Sequence, residues 1–302
     1  MGSILNPLYT AVSWVIISIH GLLAPIFGST SGVTWSLSII GLVILIRIIL
    51  IPLFVKQIKS QRALTALQPQ MKIIQAKYKD DRQKQSEEMM KLYKEHKTNP
   101  LASCFPILAQ APIFFALFTV LNGIGKTPPV KHGVLTQADV VNAAQARFFG
   151  APISETFLGS SSTTVKIVTV FLIAFMSITT FTTQRQLMVK GMPKMDSSNN
   201  MMLQQQKIML YLFPVIFAIS GVNFPIGVLI YWSTTNLWTW GQQFYVIKRN
   251  PTPGSPAYEE LERKKARKAG TLIDGTTIDE PRPEGDVKGQ RQQPKAKKKK
   301  KK

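Results

Sequence analysis

The sequence is poor in the residues that most catalytic sites are built from. A single cysteine, Cys104, in 302 residues excludes an intramolecular disulfide, a zinc ribbon and a thiol redox pair within the chain. There are three histidines, His20, His96 and His132. In the arrangement derived below they fall in three different segments, with His96 across the membrane from the other two, so the three cannot meet as metal ligands. No G-x-x-x-x-G-K-[ST] phosphate loop occurs, so ATP use through that device is excluded. Acidic residues number only 16, against 37 Lys+Arg, for a formal charge of +21. Residues 1–46 contain no charged side chain at all, whereas 248–302 contain 17 Lys/Arg. A soluble domain this basic ordinarily binds nucleic acid, but a single soluble globule would not partition its charge in this way.

What the chain does have is apolar length. It is 45% hydrophobic, and five stretches approach the roughly 20 helical residues that cross a hydrocarbon core: 33–55, 99–124, 164–187, 208–222 and 226–247. The fourth is short, with a start that extends a turn earlier through Met202 and Leu203, and Asn223-Phe224-Pro225 closes it into a hairpin with the fifth. The expected fold is therefore an all-α polytopic membrane protein with a five-helix transmembrane core. Residues 1–32 are apolar too, but Pro7 and Pro25 flank the run, Ser18 and His20 interrupt it, and Trp14 is an interfacial residue type. They read as an external helix lying along the membrane surface. A cleaved signal peptide is the competing reading, but the basic n-region it needs is missing.

Orientation follows from basic residues in the loops. Segments 56–98, 185–207 and 248–302 hold 11, 4 and 17 Lys/Arg, whereas 1–32, 125–163 and 222–225 hold 0, 3 and 0. The N-terminus is expected outside, 125–163 as an external loop, 188–207 as a cytoplasmic loop and the C-terminus inside. Within 56–98, Leu67, Met71, Ile74 and Tyr78 form one helical stripe and Met89, Leu92, Tyr93 and His96 a second. Tyr78-Lys79-Asp80-Asp81 breaks them apart, Asp80 or Asp81 can cap the second helix, and Pro69 would interrupt the first. A helical hairpin projecting into the cytoplasm is expected; the alternative is a basic segment lying on anionic lipid. The tail 248–302 contains a linker, a short charged helix over 257–269 and a disordered basic arm ending in Lys297, Lys298, Lys299, Lys300, Lys301 and Lys302.

Arg47 is the most informative residue. It sits in the apolar run 42–51, about 21 Å along a helix from Val33 and about 12 Å from Val55. A charge at a helix centre costs about 2.5–3.5 kcal/mol on insertion scales, somewhat less off centre. No acidic residue lies in any span, so Arg47 has no ionic partner there and must be hydrated or bonded to neutral groups. Snorkelling to the cytoplasmic interface is one outcome; a polar cavity open to the cytoplasm, with Arg47 on its wall, is the other. Gln110 stands alone in the second span. Ser177, Thr179, Thr180, Thr182 and Thr183 cluster in the third, and Ser233, Thr234, Thr235 and Asn236 in the fifth, with Gln242 and Gln243 beyond. Singly, such groups are helix–helix glue; four spans contributing them towards one leaflet suggest a shared groove. Without an intramembrane carboxylate or Ser/His pair, catalysis is not expected, and a charged cavity without reaction chemistry is a binding surface.

The runs Arg47-Ile48-Ile49-Leu50-Ile51-Pro52-Leu53, Leu67-Gln68-Pro69-Gln70-Met71-Lys72 and Asn99-Pro100-Leu101-Ala102-Ser103-Cys104-Phe105-Pro106 resemble the YidC/Oxa/Alb membrane protein insertase superfamily. So do Gln110-Ala111-Pro112-Ile113-Phe114 and Phe224-Pro225-Ile226-Gly227-Val228-Leu229-Ile230-Tyr231-Trp232. The similarity covers roughly residues 10–248 in order. It is of the short Gram-positive, actinobacterial-like YidC type, and the lack of arginine in 1–46 argues against a mitochondrial relative. The resemblance implies a membrane insertase and chaperone in the bacterial cell membrane, with a hydrophilic groove open to cytoplasm and lipid and closed outside. Arg47 would supply its positive charge, and Gln110, Ala111, Phe114, Tyr231 and Trp232 would face substrate. The second aromatic of that last pair is often tyrosine in relatives and is Trp232 here, which puts hydroxyl-dependent contacts at that position in doubt. Thr180 and Thr234 join the groove set from the polar clusters above. Implied partners are nascent membrane proteins, the ribosome, the Sec translocon and anionic lipids, with the lysine tail touching ribosome or lipid; no cofactor, metal or specific nucleic-acid sequence is implied. A channel or small-solute carrier using the same cavity is the rival reading. It would require a path open to both faces and internal repeats, and no convincing repeat is found.

Overall fold

The computed structural model describes residues 2–96, 98–99, 105–126, 128–192 and 201–269. Residues 1–258 form one compact unit, and the chain from Glu259 onward is a second. Eleven α-helices and one small β-hairpin occur among the described residues. Cys104 and Lys297–Lys302 lie outside the described residues, as does the end of the basic arm.

The first helix, α1 (Gly2–Phe27), runs unbroken through Pro7 and reaches past Pro25. A turn through Gly28, whose φ is 90°, leads to α2 (Gly32–Ile49), where Ser31 caps the start by accepting from the Val33 N–H at 3.2 Å. Pro52 has no N–H to continue the ladder, and the chain passes through Leu50 into α3 (Ile51–Ala66). The apolar run 33–55 is thus divided between two helical segments. A second division comes at Leu67, because Pro69 occupies the first turn of α4 (Gln68–Lys77), where a missing N–H costs nothing. Of the two candidate caps of α5 (Arg82–Glu95), it is Asp81 whose carboxylate accepts from the Lys84 N–H at 3.0 Å. Helices α4 and α5 run antiparallel: Gln85 reaches the Gln75 carbonyl, Tyr93 the Met71 sulfur and His96 the Gln70 side chain. Burial in this contact raises the Tyr93 pKa above its ordinary value.

Beyond helix α6 (Phe105–Ile124), the segment 128–162 is ordered rather than a plain loop. It contains α7 (Gln137–Gln145), closed by a reciprocal capping box between Thr136 and Asp139. It also contains strands β1 (Arg147–Phe148) and β2 (Ala151–Pro152), paired antiparallel. Then follow α8 (Thr163–Gln186) with a π-helical turn at Leu187–Gly191, α9 (Met201–Gly221), and α10 (Ile226–Arg249). The last helix, α11 (Pro256–Ala269), shows exposed Lys264–Glu260 and Lys265–Glu262 pairs, which contribute little to stability.

The core is apolar and shared by α1, α2, α6, α8 and α10. Trp35, Ile39, Leu42, Leu117, Val120 and Leu229 are among its fully buried members. Segment 125–162 seals one end of this bundle. The first N–H groups of α10, which lack intrahelical partners, are met by two of its carbonyls: Ile226 donates to Glu155 at 3.0 Å and Gly227 to Ile153 at 2.8 Å. Gly32 is needed at the same end, since a Cβ there would sit 1.7 Å from the Arg147 carbonyl oxygen.

The outer faces are as apolar as the core. Ile44, Leu45, Ile48 and Ile49 on α2, and Ile167, Phe171 and Ile178 on α8, are exposed. In water such faces would be penalised at about 25 cal/mol per Å²; against lipid they are not. Among the described residues, three helices are long and apolar enough to cross a membrane: Leu5–Phe27, Gly32–Ile49 and Thr163–Gly191. Shorter apolar segments occur at Gln110–Ile124 and Leu210–Gly221. Helix α10 has the length but carries Ser233, Thr234, Thr235 and Asn236 in its middle. The protein is an all-α membrane protein. Length and composition alone do not set α1 apart from α2 and α8.

Candidate functional site

Arg47 lies two residues before the end of α2 and is buried, with 6% of its surface exposed. Its side chain turns towards α10. Nη2 donates to the Thr239 hydroxyl at 3.1 Å and makes a longer contact of 3.4 Å with the Thr235 carbonyl. The guanidinium carbon stands 5.4 Å from the centroid of the Phe54 ring, a distance at which a ring face attracts a cation. Nε is buried with no partner among the described residues. Arg47 is therefore held by neutral groups of a distant helix.

One turn nearer the start of α10, Tyr231 is buried and its hydroxyl oxygen accepts from Gln110 Nε2 of α6 at 3.0 Å. Tyr231, Thr235 and Thr239 follow one another at intervals of four, which places them in one row along the helix. That row meets α6 at one level and α2 at the next. Beside it, Trp232 sits in an aromatic cluster, with ring centroids 5.3 Å from Phe114, 5.1 Å from Phe217 and 5.3 Å from Phe224. Phe114 also approaches Tyr231, at 6.1 Å. The structure thus joins Gln110, Phe114, Tyr231 and Trp232 into one group, and its row extends to Arg47.

The other expected residues are not joined to it by any described contact. Ala111 is half-buried. The Thr234 hydroxyl donates to the Ile230 carbonyl of its own helix at 2.8 Å. On α8, Thr179, Thr182 and Thr183 likewise bond to carbonyls three or four residues back, the usual resource of a hydroxyl in a helix. The Thr180 hydroxyl does not; it is buried without a partner among the described residues, as are Ser233 Oγ, Thr235 Oγ1 and Asn236 Nδ2. Buried polar atoms are ordinarily satisfied, so this set is a concentration of hydrogen-bonding capacity that the fold itself does not use. Thr239 and Phe54 were not expected from the sequence. The available signal for Thr239 was its spacing of eight from Tyr231.

Comparison with known proteins bears on the same elements. The 60Kd inner membrane protein family matches residues 26–253, from the end of α1 to just beyond α10. The chain belongs to the YidC/Oxa/Alb family. A relative from Streptomyces avermitilis, named membrane protein insertase YidC, is 55% identical over 257 residues, covering 82% of this chain and 59% of that one. The chain therefore spans a little under three-fifths of the length of that relative. Proteins of the same name from Tropheryma whipplei and Bifidobacterium longum are 36% and 34% identical, covering 87% and 99% of this chain and 89% and 95% of theirs. Membership of the YidC/Oxa/Alb family agrees with the apolar helices in placing the chain in a bacterial membrane. The match includes all the residues of the Arg47–Tyr231–Gln110 arrangement.

Proposed function

We propose that the chain is a membrane protein insertase and chaperone, in which α2, α6, α8, α9 and α10 span the bilayer around a hydrophilic groove. The observation that carries this reading is the position of Arg47. It is a buried cation held by neutral acceptors, and its Nε, the Ser233 and Thr235 hydroxyls and the Asn236 amide nitrogen are buried without a partner among the described residues. Such a surface lowers the cost of bringing a polar segment to membrane depth, most of all an acidic one. The apolar part of the substrate would slide along the lipid-facing sides of α8 and α10, and its release is driven by removal of apolar surface from water, at about 25 cal/mol per Å². No covalent step and no nucleotide are required.

The caps on α10 supplied by Ile153 and Glu155 support a groove closed at the outer end, which favours insertion over conduction. The contacts of α1 support a surface placement across that same end. Ile19 packs at Gly41, so a helix continuing antiparallel to α2 for about 9 Å would bring residue 13 beside Arg47. Instead the Ser13 hydroxyl accepts from the Val134 N–H at 2.9 Å, and Tyr9 meets His132 at 5.7 Å. The antiparallel α4–α5 pair would face the cytoplasm and receive substrate. The ribosome, the Sec translocon and anionic lipids are proposed partners, with Lys297–Lys302 as the contact segment.

The test is insertion of a short single-span substrate into liposomes containing only this protein. Arg47→Ala is expected to reduce insertion of substrates with an acidic translocated flank by about tenfold, the equivalent of ~1.4 kcal/mol, and to affect neutral flanks less. Equal efficiency for all flanks would remove the charge-steering mechanism while leaving insertion intact.

A further inference from the structure

Phe149 has a positive φ, 48°, a value at which every other residue so found among the described ones is glycine. With Gly150, at 83°, it forms the two-residue turn between β1 and β2. Two positive φ values are the pattern of a type I′ turn, for which Asn-Gly is the favoured pair because a larger side chain is strained there. The Phe149 ring is 79% exposed, and its contact with Phe148, at 4.6 Å between centroids, does not bury it. A strained, uncovered aromatic residue calls for a role outside the fold.

Its neighbours say what meets it. The Arg147 carbonyl closes on Gly32, and Gly150 lies against Thr164, where a Cβ would be 3.4 Å from the methyl carbon. The hairpin therefore sits at the first turns of both α2 and α8. Those turns present Val33, 50% exposed, and Ile167, 64% exposed, with Phe171 one turn further along. The exposed ring thus stands at the end of the two helices that carry these apolar residues. Arg147, whose Nη1 donates to the Gly150 carbonyl at 3.1 Å, is exposed in the same hairpin, and Lys166, exposed in the first turn of α8, stands 6.0 Å from the Phe157 ring centroid; cations at this level match lipid phosphates.

We infer that the 147–152 hairpin is a membrane anchor: Phe149 enters the phospholipid interface where α2 and α8 begin, with Arg147 and Lys166 at the phosphates. The inference rests on α2 and α8 as membrane spans and fixes the depth of both. In a Cys104→Ser background, nitroxides are placed at Phe149→Cys, Phe171→Cys and Ala138→Cys in liposomes of phosphatidylethanolamine and phosphatidylglycerol. The ratio of oxygen to water-soluble nickel collisions at 149 is expected to lie between that at 171, about 12 Å further along α8 from its start, and that at 138, and well above the latter. A ratio at 149 equal to that at 138, with 171 reading lipid, overturns the anchor alone; 171 reading water overturns the spans as well. Since the label replaces the ring, Phe149→Asn supplies a second measurement. It relieves the backbone, so its thermal midpoint should rise in micelles and fall in liposomes, and a rise in both overturns the anchor.

Discussion

Arg47 Nη2 donates to the hydroxyl of Thr239, a residue 192 positions further along the chain, at 3.1 Å. That hydroxyl is itself fixed, because its proton goes to the Thr235 carbonyl at 2.8 Å. The oxygen is left to accept, and its lone pair points where the guanidinium arrives. The charge of α2 is thus received by a group whose direction α10 has already set.

The first prediction separates Thr235 and Thr239, two threonines four residues apart on α10. Thr239→Val keeps the shape and removes the acceptor, leaving Nη2 with only its 3.4 Å contact. A hydrogen bond to a charged group contributes about 1.5–3 kcal/mol, and a loss of that order is expected in unfolding measured in micelles. Thr235 touches Arg47 through its backbone carbonyl, and its hydroxyl has no partner among the described residues. Thr235→Val is therefore expected to change stability by less than about 0.5 kcal/mol, or to stabilise. Equal losses from the two variants would show that Thr239 does not hold the charge.

Gln110 and Tyr231 give the second. Tyr231→Phe leaves the Gln110 amide, now bonded at 3.0 Å, without its acceptor. Hydrogen bonds between membrane helices couple by about 0.6–1.7 kcal/mol. A double-mutant cycle of Tyr231→Phe with Gln110→Leu should return a coupling in that range. Additive effects would mean that the side chains are neighbours without interacting.

These contacts also show where the sequence is legible. Arg47 stands out because a lone cation among the nine apolar residues of 42–51 has no ordinary explanation, and the missing acids imply neutral partners. Which partners cannot be read, because Thr239 lies between Trp238 and Trp240 in a stretch with no single-face pattern. The threonines of α8 mislead in the opposite direction: a cluster of hydroxyls suggests a polar wall, yet three of the five groups named there are spent on their own helix. Segment 125–163 was readable only as a loop. Its capping box, Thr136 with Asp139, was visible in the residues, but its role as a seal depends on carbonyls that reach α10, and backbone groups leave no trace in composition.

The third prediction concerns α5. Asp81 is the residue whose side chain satisfies an N–H at the start of that helix, and removing such a cap costs about 1 kcal/mol. Asp81→Ala should speed amide exchange in the first turn of α5, residues 82–86, by about fivefold, with Asp80→Ala having no comparable effect. Matching acceleration in both variants would assign the cap to the turn as a whole.

His132 supplies a dependence on pH in the sealing segment. Its pKa is lowered, first by burial and then by the charge of Lys126, so the folded state prefers the neutral ring. The sign follows from linkage: the unfolded chain binds this proton at the ordinary value of about 6.5, the folded one only below it. The stability contributed by neutral His132 is thus fully present above that value. It falls as the medium is acidified from there through the folded pKa, and is constant again below both. The place affected is the contact of the ring with Tyr9, at 5.7 Å, and with Gly123, where a Cβ would come within 2.6 Å of the ring. Acidification should therefore loosen α1 from residues 128–136, seen as faster amide exchange there, and His132→Gln should abolish the change. Exchange in that segment that accelerates equally in the variant would place the sensitivity in another group.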